Sequence, residues 1–238
     1  MALNEEVSFT WVGHGTWKVR SARGKEILID PWVMHNPAAP DNLKQVDQLD
    51  LMLITHGHYD HIYDAVEIAK QTGCKVHAVF ETAMWMSTKG IQNLDGGNKG
   101  GTHDLDGIKV TLVHADHTCG ISDPPDQTAS IVYGGEACGL VIEFENGFTV
   151  YFSGDTDVFG DMRLIAELHD FDTAILPIDG IYNMDPKRAA KAAELLGVKT
   201  VVPSHWGPHL GQTGTPAQLQ QLVGSGVQVL DIKPGDTV

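Results

Sequence analysis

Residues 55–62, THGHYDHI, place three histidines and an aspartate within six positions. His56 and His58 are two positions apart, so in an extended segment their side chains project to the same side. Asp60 and His61 follow where the chain turns into a predicted helix, and they face a different direction. Neutral imidazole and carboxylate are ligands that zinc, iron and manganese accept in proteins. The spacing therefore predicts that one short loop supplies two adjacent metal positions.

This histidine cluster follows a predicted buried strand. Residues 51–54, LMLI, form an unbroken apolar run, which is typical of a strand covered on both faces. Residues 64–73 then show helical apolar spacing and end on a glycine. Chain that leaves the end of a buried strand forms the rim of a cleft, where active sites are commonly built. The sequence therefore places the cluster at an accessible sheet edge.

Three further side chains of ligand type stand at the ends of other predicted strands. His117 lies just past the strand of residues 108–115, Asp155 closes a hairpin strand, and His205 ends the strand of residues 199–204. Alone, each would be read as a hydrogen-bonded structural residue. Their shared placement favours one joint metal site over a loop of solvated histidines.

The rest of the chain alternates short strands and helices. Asn146 and Gly147 mark the turn of the clearest hairpin, residues 139–155. The glycine-rich stretch 94–107 is predicted to hold turns between strands. The remaining predicted strands are residues 7–12, 16–21, 25–30, 76–80, 173–178 and 227–232, and the remaining helices are residues 81–90, 160–168, 185–197 and 215–222. No segment reads as a linker, so we expect a single domain spanning residues 1–238.

The composition narrows the range of partners. The 238 residues include 16 basic and 31 acidic side chains, for a net charge of −15. This field repels phosphate backbones, so no nucleic acid partner is expected. Three cysteines without regular spacing predict neither a disulfide framework nor a zinc ribbon, and no signal peptide or membrane helix is indicated. We expect a cytoplasmic protein with a small-molecule substrate and no membrane contact, and homo-oligomer formation stays open.

Longer stretches resemble the metallo-β-lactamase superfamily. The motif THGHYDHI, a later histidine, SGDT and SHWG carry this resemblance. The stretches WVGHGTWKV, NKGGTHDLDGIKVTLVHADHT, GEACGLVIEFENGFTVYFSGDT and LPIDGIYNMDPKRAA are similar to its metal-dependent hydrolase branch, which includes L-ascorbate-6-phosphate lactonase-like proteins. The resemblance covers nearly the whole chain. It implies an α/β (α+β) fold, the four-layer αββα sandwich, with the site on one edge.

The resemblance also implies two metal ions joined by one carboxylate. The implied ligands are His56, His58 and His117 for one ion, Asp60, His61 and His205 for the other, and Asp155 as the bridge. His117 is preferred to His114 because the superfamily places this ligand directly before a small hydroxyl residue, here Thr118. Oxygen-reducing di-iron relatives usually carry an acidic residue at the position of His58, so redox chemistry is not expected.

Several neighbours are expected to orient the ligands or to line the pocket. Asp30 and the Thr55 hydroxyl are placed to hold the far ring nitrogen of a ligating histidine. His14 resembles a histidine near the site of the related branch, and we assign it a catalytic role together with Asp60. Further residues expected beside the ligands or in the substrate pocket are His114, Asp179, Tyr182 and Asn183. Other walls of the pocket are expected to be His35, Trp206 and His209.

Together these residues predict a dinuclear metal-dependent hydrolase. Two divalent ions about 3.5–4 Å apart can share a bridging hydroxide that attacks a small ester or lactone. Asp60 is expected either to orient this hydroxide and accept its proton or to act as a ligand alone. Zinc is the first choice of metal, and manganese and iron stay open. Phosphodiesterase or nuclease chemistry and a non-catalytic metal-binding sensor are the alternative functions.

Overall fold

Two β-sheets form the centre of the structure. The computed structural model describes residues 2–123, 130–207 and 211–238. The strands of the first sheet, in spatial order, are β1 (Ser8–Gly13), β2 (Thr16–Arg20), β3 (Glu26–Ile29), β4 (Leu51–Ile54), β5 (Lys75–Val79) and β6 (Leu94–Gly97). Strands β1 to β3 pair antiparallel, and β3 to β6 pair parallel.

The second sheet is built mainly from the later part of the chain. Its strands are β7 (Thr102–Leu105), β8 (Ile108–His114), β11 (Cys138–Glu143), β12 (Thr149–Phe152), β13 (Thr173–Pro177), β14 (Thr200–Ser204) and β15 (Gln228–Val229). Their spatial order is β15-β14-β13-β12-β11-β8-β7, parallel from β12 to β15 and antiparallel elsewhere. Strands β9 (Gly120–Asp123) and β10 (Ser130–Tyr133) form a separate hairpin.

The helices lie outside the sheets and begin and end at recognisable signals. They are α1 (Tyr59–Ile62), α2 (Ala65–Thr72), α3 (Phe80–Thr88), α4 (Met162–Leu168), α5 (Pro186–Leu196) and α6 (Pro216–Leu222). The Asp185 carboxylate accepts the Arg188 N–H at the start of α5, and Gly197 ends that helix at a left-handed φ of 64°. Thr215 and Gln218 form a capping box on α6.

Three apolar layers separate the sheets and helices. Phe9, Trp17 and Leu53 belong to the cluster between the two sheets. Met52 and Ile54, which alternate with Leu53 along β4, pack instead in the cluster that holds α2 and α3. A third cluster packs the second sheet against α4, α5 and α6. Helix, sheet, sheet and helix therefore follow one another, which confirms the predicted αββα sandwich.

Some element boundaries differ from the sequence predictions. Phe80 was expected to end β5 but begins α3, where its side chain is half exposed. The last strand was expected over residues 227–232 and is only two residues long, at the sheet edge. Helix α1 and the hairpin of β9 and β10 carried too short a sequence pattern to be predicted. In the part of the chain that the structure describes, no helix has the length and apolarity needed to cross a membrane.

Candidate metal centre

The residues implied as ligands lie where strands of both sheets end at one edge. His56 and His58 follow β4, and Asp60 and His61 lie in α1, directly after them. The second sheet supplies the others: His117 follows β8, Asp155 follows β12, and His205 follows β14. We call these residues the candidate metal centre.

Backbone contacts hold the two sheets together at this edge. The Cys138 N–H donates to the Thr55 carbonyl at 3.1 Å, and the His205 N–H donates to the His14 carbonyl at 3.0 Å. Gly154 has a φ of 60°, and a Cβ there would lie 2.8 Å from the Thr55 Cβ. Only glycine fits this close approach without strain. The chain after β12 can therefore place Asp155 beside the loop of residues 55–58.

Three ring nitrogens converge in the first group, which consists of His56, His58 and His117. His58 Nδ1 lies 3.0 Å from His56 Nε2 and 3.2 Å from His117 Nε2. On the opposite side of two of these rings, Thr55 Oγ1 lies 3.0 Å from His56 Nδ1, and Thr118 Oγ1 lies 3.1 Å from His58 Nε2. The hydroxyls therefore engage the outer nitrogens and leave the inner ones facing each other.

The second group consists of Asp60, His61 and His205. Asp60 Oδ2 lies 3.9 Å from His61 Nε2 and 3.7 Å from His205 Nε2. One ligand atom from each of these residues and from His14 lies within 4.8 Å of the others. Both imidazoles are fully buried, whereas the Asp60 side chain is partly exposed.

Asp155 stands between the two groups. Its Oδ1 lies 3.4 Å from His61 Nε2, and its Oδ2 lies 3.3 Å from His205 Nε2 and 3.7 Å from His117 Nε2. The carboxylate thus faces ring nitrogens of both groups at once. Asp155 is therefore the carboxylate that contacts both donor groups.

Asp30 contacts His61 directly and His56 through the Thr55 hydroxyl. Its buried carboxylate accepts the Thr55 N–H at 2.8 Å and the Thr55 hydroxyl at 2.7 Å, and it lies 2.8 Å from His61 Nδ1. Because the Thr55 hydroxyl donates to Asp30, it accepts from His56 Nδ1–H. His56 is then left with an Nε2 lone pair that faces the centre, and His61 presents its Nε2 to Asp155.

Asp179 holds the third buried histidine in the same way. Its Oδ2 lies 3.1 Å from His205 Nδ1, and its Oδ1 accepts the N–H groups of Ile181 and Tyr182 at 2.8 Å and 2.6 Å. Asn183 Nδ2 also donates to Asp179 Oδ2, at 2.9 Å. The carboxylate is fully buried and thus orients His205 while it organises the loop after β13.

His14 contacts the second group through Asp60. His14 Nε2 lies 2.9 Å from Asp60 Oδ2, and the His14 and His205 rings are 3.6 Å apart between centroids. Burial, with His205 adding to its effect, lowers the pKa of His14 to about 4. A neutral His14 donates Nε2–H to the carboxylate, and the Gln212 amide lies 3.4 Å from its Nδ1. This contact places His14 where it can position the Asp60 carboxylate.

Left-handed backbone is concentrated at this site. Among the described residues, the non-glycine positions with positive φ are His14 at 56°, Asp30 at 50°, Asp106 at 60° and His205 at 51°. Three of these four are site residues. Such conformations are uncommon for residues other than glycine and persist when surrounding contacts enforce them. The contacts of the site therefore enforce backbone geometry as well as side-chain direction.

The two groups differ in protonation. Burial lowers the pKa of His56 well below its ordinary value and that of His58 to about 4. Burial also disfavours a charge on His61 and His205, but the Asp155 carboxylate and its neighbours raise both pKa values well above the ordinary value. Burial likewise opposes a charge on Asp155, yet His205 and His61 hold its pKa well below the usual range. The first group is neutral, and the second attracts positive charge.

This donor set fits divalent metal ions. His58 Nδ1 faces Nε2 of both His56 and His117, so these three nitrogens can share one cation. In the described part of the chain, His61 Nε2 and His205 Nε2 are buried and make no hydrogen bond. Buried polar atoms are rarely left unpaired, because this costs about 1–3 kcal/mol. A cation on each side of Asp155 would satisfy all of these atoms.

A cavity of about 510 Å³ opens onto the centre. Its lining residues are His58, Tyr59, Asp60, His117, Thr118, Asp155, Tyr182 and His205. None of these lining residues is a lysine or an arginine. Tyr182 is more than half exposed at the rim, so the mouth of the cavity combines an aromatic surface with carboxylates and imidazoles.

Most of the predicted site residues come together, but some do not. His114 is exposed and is not among the cavity lining, because β8 continues through it and its ring packs edge-on against Phe159. The structure therefore places His114 as a packed side chain outside this cavity lining. Trp206 stacks on Trp11, and His35 packs beside Tyr63. His209 lies outside the described residues.

Sequence reasoning gave no role to two residues of the site, Gln212 and Thr118. The Gln212 amide lies 3.2 Å from His205 Nδ1, in addition to its contact with His14. Thr118 was noted only as the residue after His117, although that adjacency was a usable signal. Gln212 follows no strand or motif, so nothing in the sequence separates it from other glutamines.

Comparisons with known proteins agree with this fold. Residues 25–206 match the family model described as the Beta-lactamase superfamily domain. The chain is 50% identical to a UPF0173 metal-dependent hydrolase of Koribacter versatilis over 97% of both chains. A UPF0173 metal-dependent hydrolase of Rubrobacter xylanophilus is 46% identical over 95% of this chain and 94% of its own.

Among solved structures, Igni18 superposes on this chain with a TM-score of 0.83. It is described as a novel metallo hydrolase from the hyperthermophilic archaeon Ignicoccus hospitalis, and it is 35% identical over 98% of this chain and 97% of its own. The chain therefore belongs to the β-lactamase superfamily and, within it, to the UPF0173 metal-dependent hydrolases. This membership confirms the superfamily resemblance, and the protein is a metal-dependent hydrolase by class.

Proposed function

We propose that the protein is a dinuclear hydrolase of a small ester or lactone, with zinc as its first-choice metal. The observation that carries this proposal is the shared position of Asp155 between two donor groups. The first group offers three neutral nitrogens, and the second offers two imidazoles and a carboxylate. Imidazole and carboxylate suit zinc, and they also accept manganese and iron.

Each donor group would hold one of the two ions. His56, His58 and His117 would hold one ion and the second group the other, with Asp155 contacting both. When bound, the ions supply Lewis acidity, which lowers the pKa of water towards neutrality and polarises a carbonyl oxygen.

Asp60 is the residue that we assign to the attacking water. It lines the cavity, and its Oδ2 is held at 2.9 Å by His14 Nε2–H. A fixed carboxylate at the cavity floor can accept a hydrogen bond from the water, orient it towards the substrate and take its proton. His14 acts through this contact and keeps the carboxylate from rotating.

The charge of the cavity supports an ester or lactone over a phosphodiester. No lysine or arginine occurs among the described lining residues, and the chain carries a net charge of −15. A phosphodiester brings its own negative charge and is commonly held by arginine or lysine. A neutral substrate meets no such repulsion, and Tyr182 offers it an aromatic surface at the rim.

A paired activity assay tests this proposal. Protein dialysed against a chelator, then resupplied with zinc or manganese, is assayed on a lactone and ester panel and on a phosphodiester reporter. We expect no turnover without metal, recovery with metal, and hydrolysis of a lactone or ester. His58→Ala should abolish the recovery, whereas His169→Ala, remote from the centre, should not.

Two results would overturn the proposal. Full hydrolysis by metal-depleted protein would remove the metal requirement. Turnover of the phosphodiester reporter without turnover of any ester or lactone would assign the site to phosphodiesterase chemistry instead.

A further inference from the structure

A second cluster of ligand-type side chains, which we call the His77 cluster, lies at the edge of the first sheet opposite β1. His77, Asp95 and His103 each offer one ligand atom within 4.8 Å of the others. They stand on β5, β6 and β7, respectively. Because β6 is the edge of the first sheet and β7 the edge of the second, the cluster joins the two sheets. It shares no residue with the candidate metal centre.

His77 contains a buried nitrogen that lacks a partner. Its side chain is fully buried, and its Nδ1 donates to the Asp95 carbonyl at 2.9 Å. Burial lowers the pKa of His77, so its imidazole is neutral and Nε2 carries a lone pair. That Nε2 makes no hydrogen bond among the described residues. A buried acceptor without a donor is costly, and a bound cation would satisfy it.

Asp95 orients both histidines through their Nδ1 atoms. Its backbone carbonyl engages His77, and its carboxylate oxygens lie 3.0 Å and 3.1 Å from His103 Nδ1. Metal-binding histidines are commonly held in this way, with one ring nitrogen on a carbonyl or carboxylate and the other free. The His103 and Asp95 side chains are 28% and 30% exposed, so solvent reaches the cluster.

A glycine lets the two rings approach the backbone. A Cβ on Gly97 would lie 3.0 Å from His77 Cε1 and 3.2 Å from His103 Nε2. The two ring centroids are 4.7 Å apart, with the planes inclined at 47°. The imidazoles thus converge on one another at the edge without stacking flat.

We propose that His77 and His103, held by Asp95, bind a divalent transition-metal ion of the zinc class at a site separate from the hydrolytic centre. Imidazole is a suitable donor for such an ion, and the Asp95 carbonyl and carboxylate fix the directions of the two rings. The bound ion links the edges of both sheets and stabilises their association without taking part in hydrolysis.

Metal stoichiometry tests this site directly. Metal-free wild type, His103→Gln and Asp95→Asn are dialysed to equilibrium against a zinc buffer of low free concentration, and bound zinc per chain is measured by mass spectrometry. We expect each variant to bind one zinc fewer than wild type. His169→Gln is the matched control and should lose none. Circular dichroism checks that the variants are folded, and two independent variants guard against the failure of one.

The outcome is separable from the proposed function. If wild type binds a single zinc and both variants lose it, the second site stands and the dinuclear centre does not. His58→Ala should lose zinc from the hydrolytic centre. Adding His103→Gln to that variant should then remove one further zinc. Folded variants that bind as much zinc as wild type would overturn the proposal.

Discussion

Each buried histidine of the candidate metal centre is held through the ring nitrogen that faces away from the cluster. Thr55 engages His56, Asp30 engages His61, and Asp179 lies beside His205. These contacts choose the tautomer and the ring direction before any ion binds. A substitution of an outer partner should therefore act on metal affinity without removing a ligand.

Asp179→Asn tests this arrangement at His205. The amide keeps the size of the side chain but removes the charge that faces His205 Nδ1. We expect zinc affinity to fall about 10- to 100-fold, the usual effect of losing such a partner. Competition with a chromophoric chelator measures the affinity. Asp172→Asn, at an exposed carboxylate paired with Lys199, is the control. An equal loss of zinc affinity there would contradict a specific action of Asp179 on His205.

His14→Ala tests the positioning of Asp60. Loss of the Nε2–H donor should lower kcat about tenfold, or about 1.4 kcal/mol, with a smaller change in KM. His14→Gln has the same backbone cost at the left-handed φ of 56° but can still donate to Asp60. We therefore expect Gln to recover part of the lost kcat. Equal kcat values in the two variants would mean that His14 has only a structural role.

The lowered pKa values predict acid sensitivity of the metal-free protein. His14 and His58 have pKa values of about 4 in the fold, against 6.5 for the unperturbed side chain. Between these values the unfolded chain binds more protons, so the free energy of unfolding decreases as the pH falls from 6.5 to 4. His61 and His205 act in the opposite direction only above about 6.5, because their pKa values are raised.

Thermal melts of chelator-treated protein between pH 4 and pH 7 measure this slope. His58→Gln removes one of the titrating groups, so its melting temperature should fall less steeply with acidification than that of wild type. His114→Gln, at an exposed position outside the cavity, should match the wild-type slope. Parallel curves for His58→Gln and wild type would show that His58 does not contribute to the pH dependence.

At the scale of the elements, sequence patterns were informative where periodicity and position coincide. The run LMLI becomes β4, with Leu53 and Met52 in different apolar layers, as a strand covered on both faces requires. The short helix α1 has too few residues to show a period, although it carries Asp60. His114 lies in the strand that the sequence predicted, but residue type alone does not show which face of that strand it takes.

The close approach of the chain after β12 to Thr55 depends on Gly154. Gly154→Ala combines a left-handed φ of 60° with a contact of 2.8 Å to the Thr55 Cβ. We expect a loss of stability of about 2 kcal/mol or more together with weaker zinc binding. Gly147→Ala shares the positive φ but meets no atom within 4 Å, so it should cost about 1 kcal/mol and leave zinc binding intact. Equal effects in melts and metal titrations would argue against the role of close approach.

At the scale of the whole molecule, the site depends on contacts between distant parts of the chain. His14 and Gln212 are 198 positions apart, and the His14 carbonyl accepts the N–H of His205. The superfamily motif supplied the candidate metal ligands because their spacing is short or tied to strand ends. It could not supply Gln212 or the His77 cluster, since these arise from the packing of one sheet against the other.

Anomalous diffraction at the zinc edge from crystals of the zinc-loaded protein would show directly whether Asp155 lies between two metal ions. We expect two peaks flanking the Asp155 carboxylate, one beside His56, His58 and His117 and the other beside His61 and His205. A single peak would contradict the dinuclear centre. The absence of any peak beside Asp155 would contradict the assignment of this edge as the metal site.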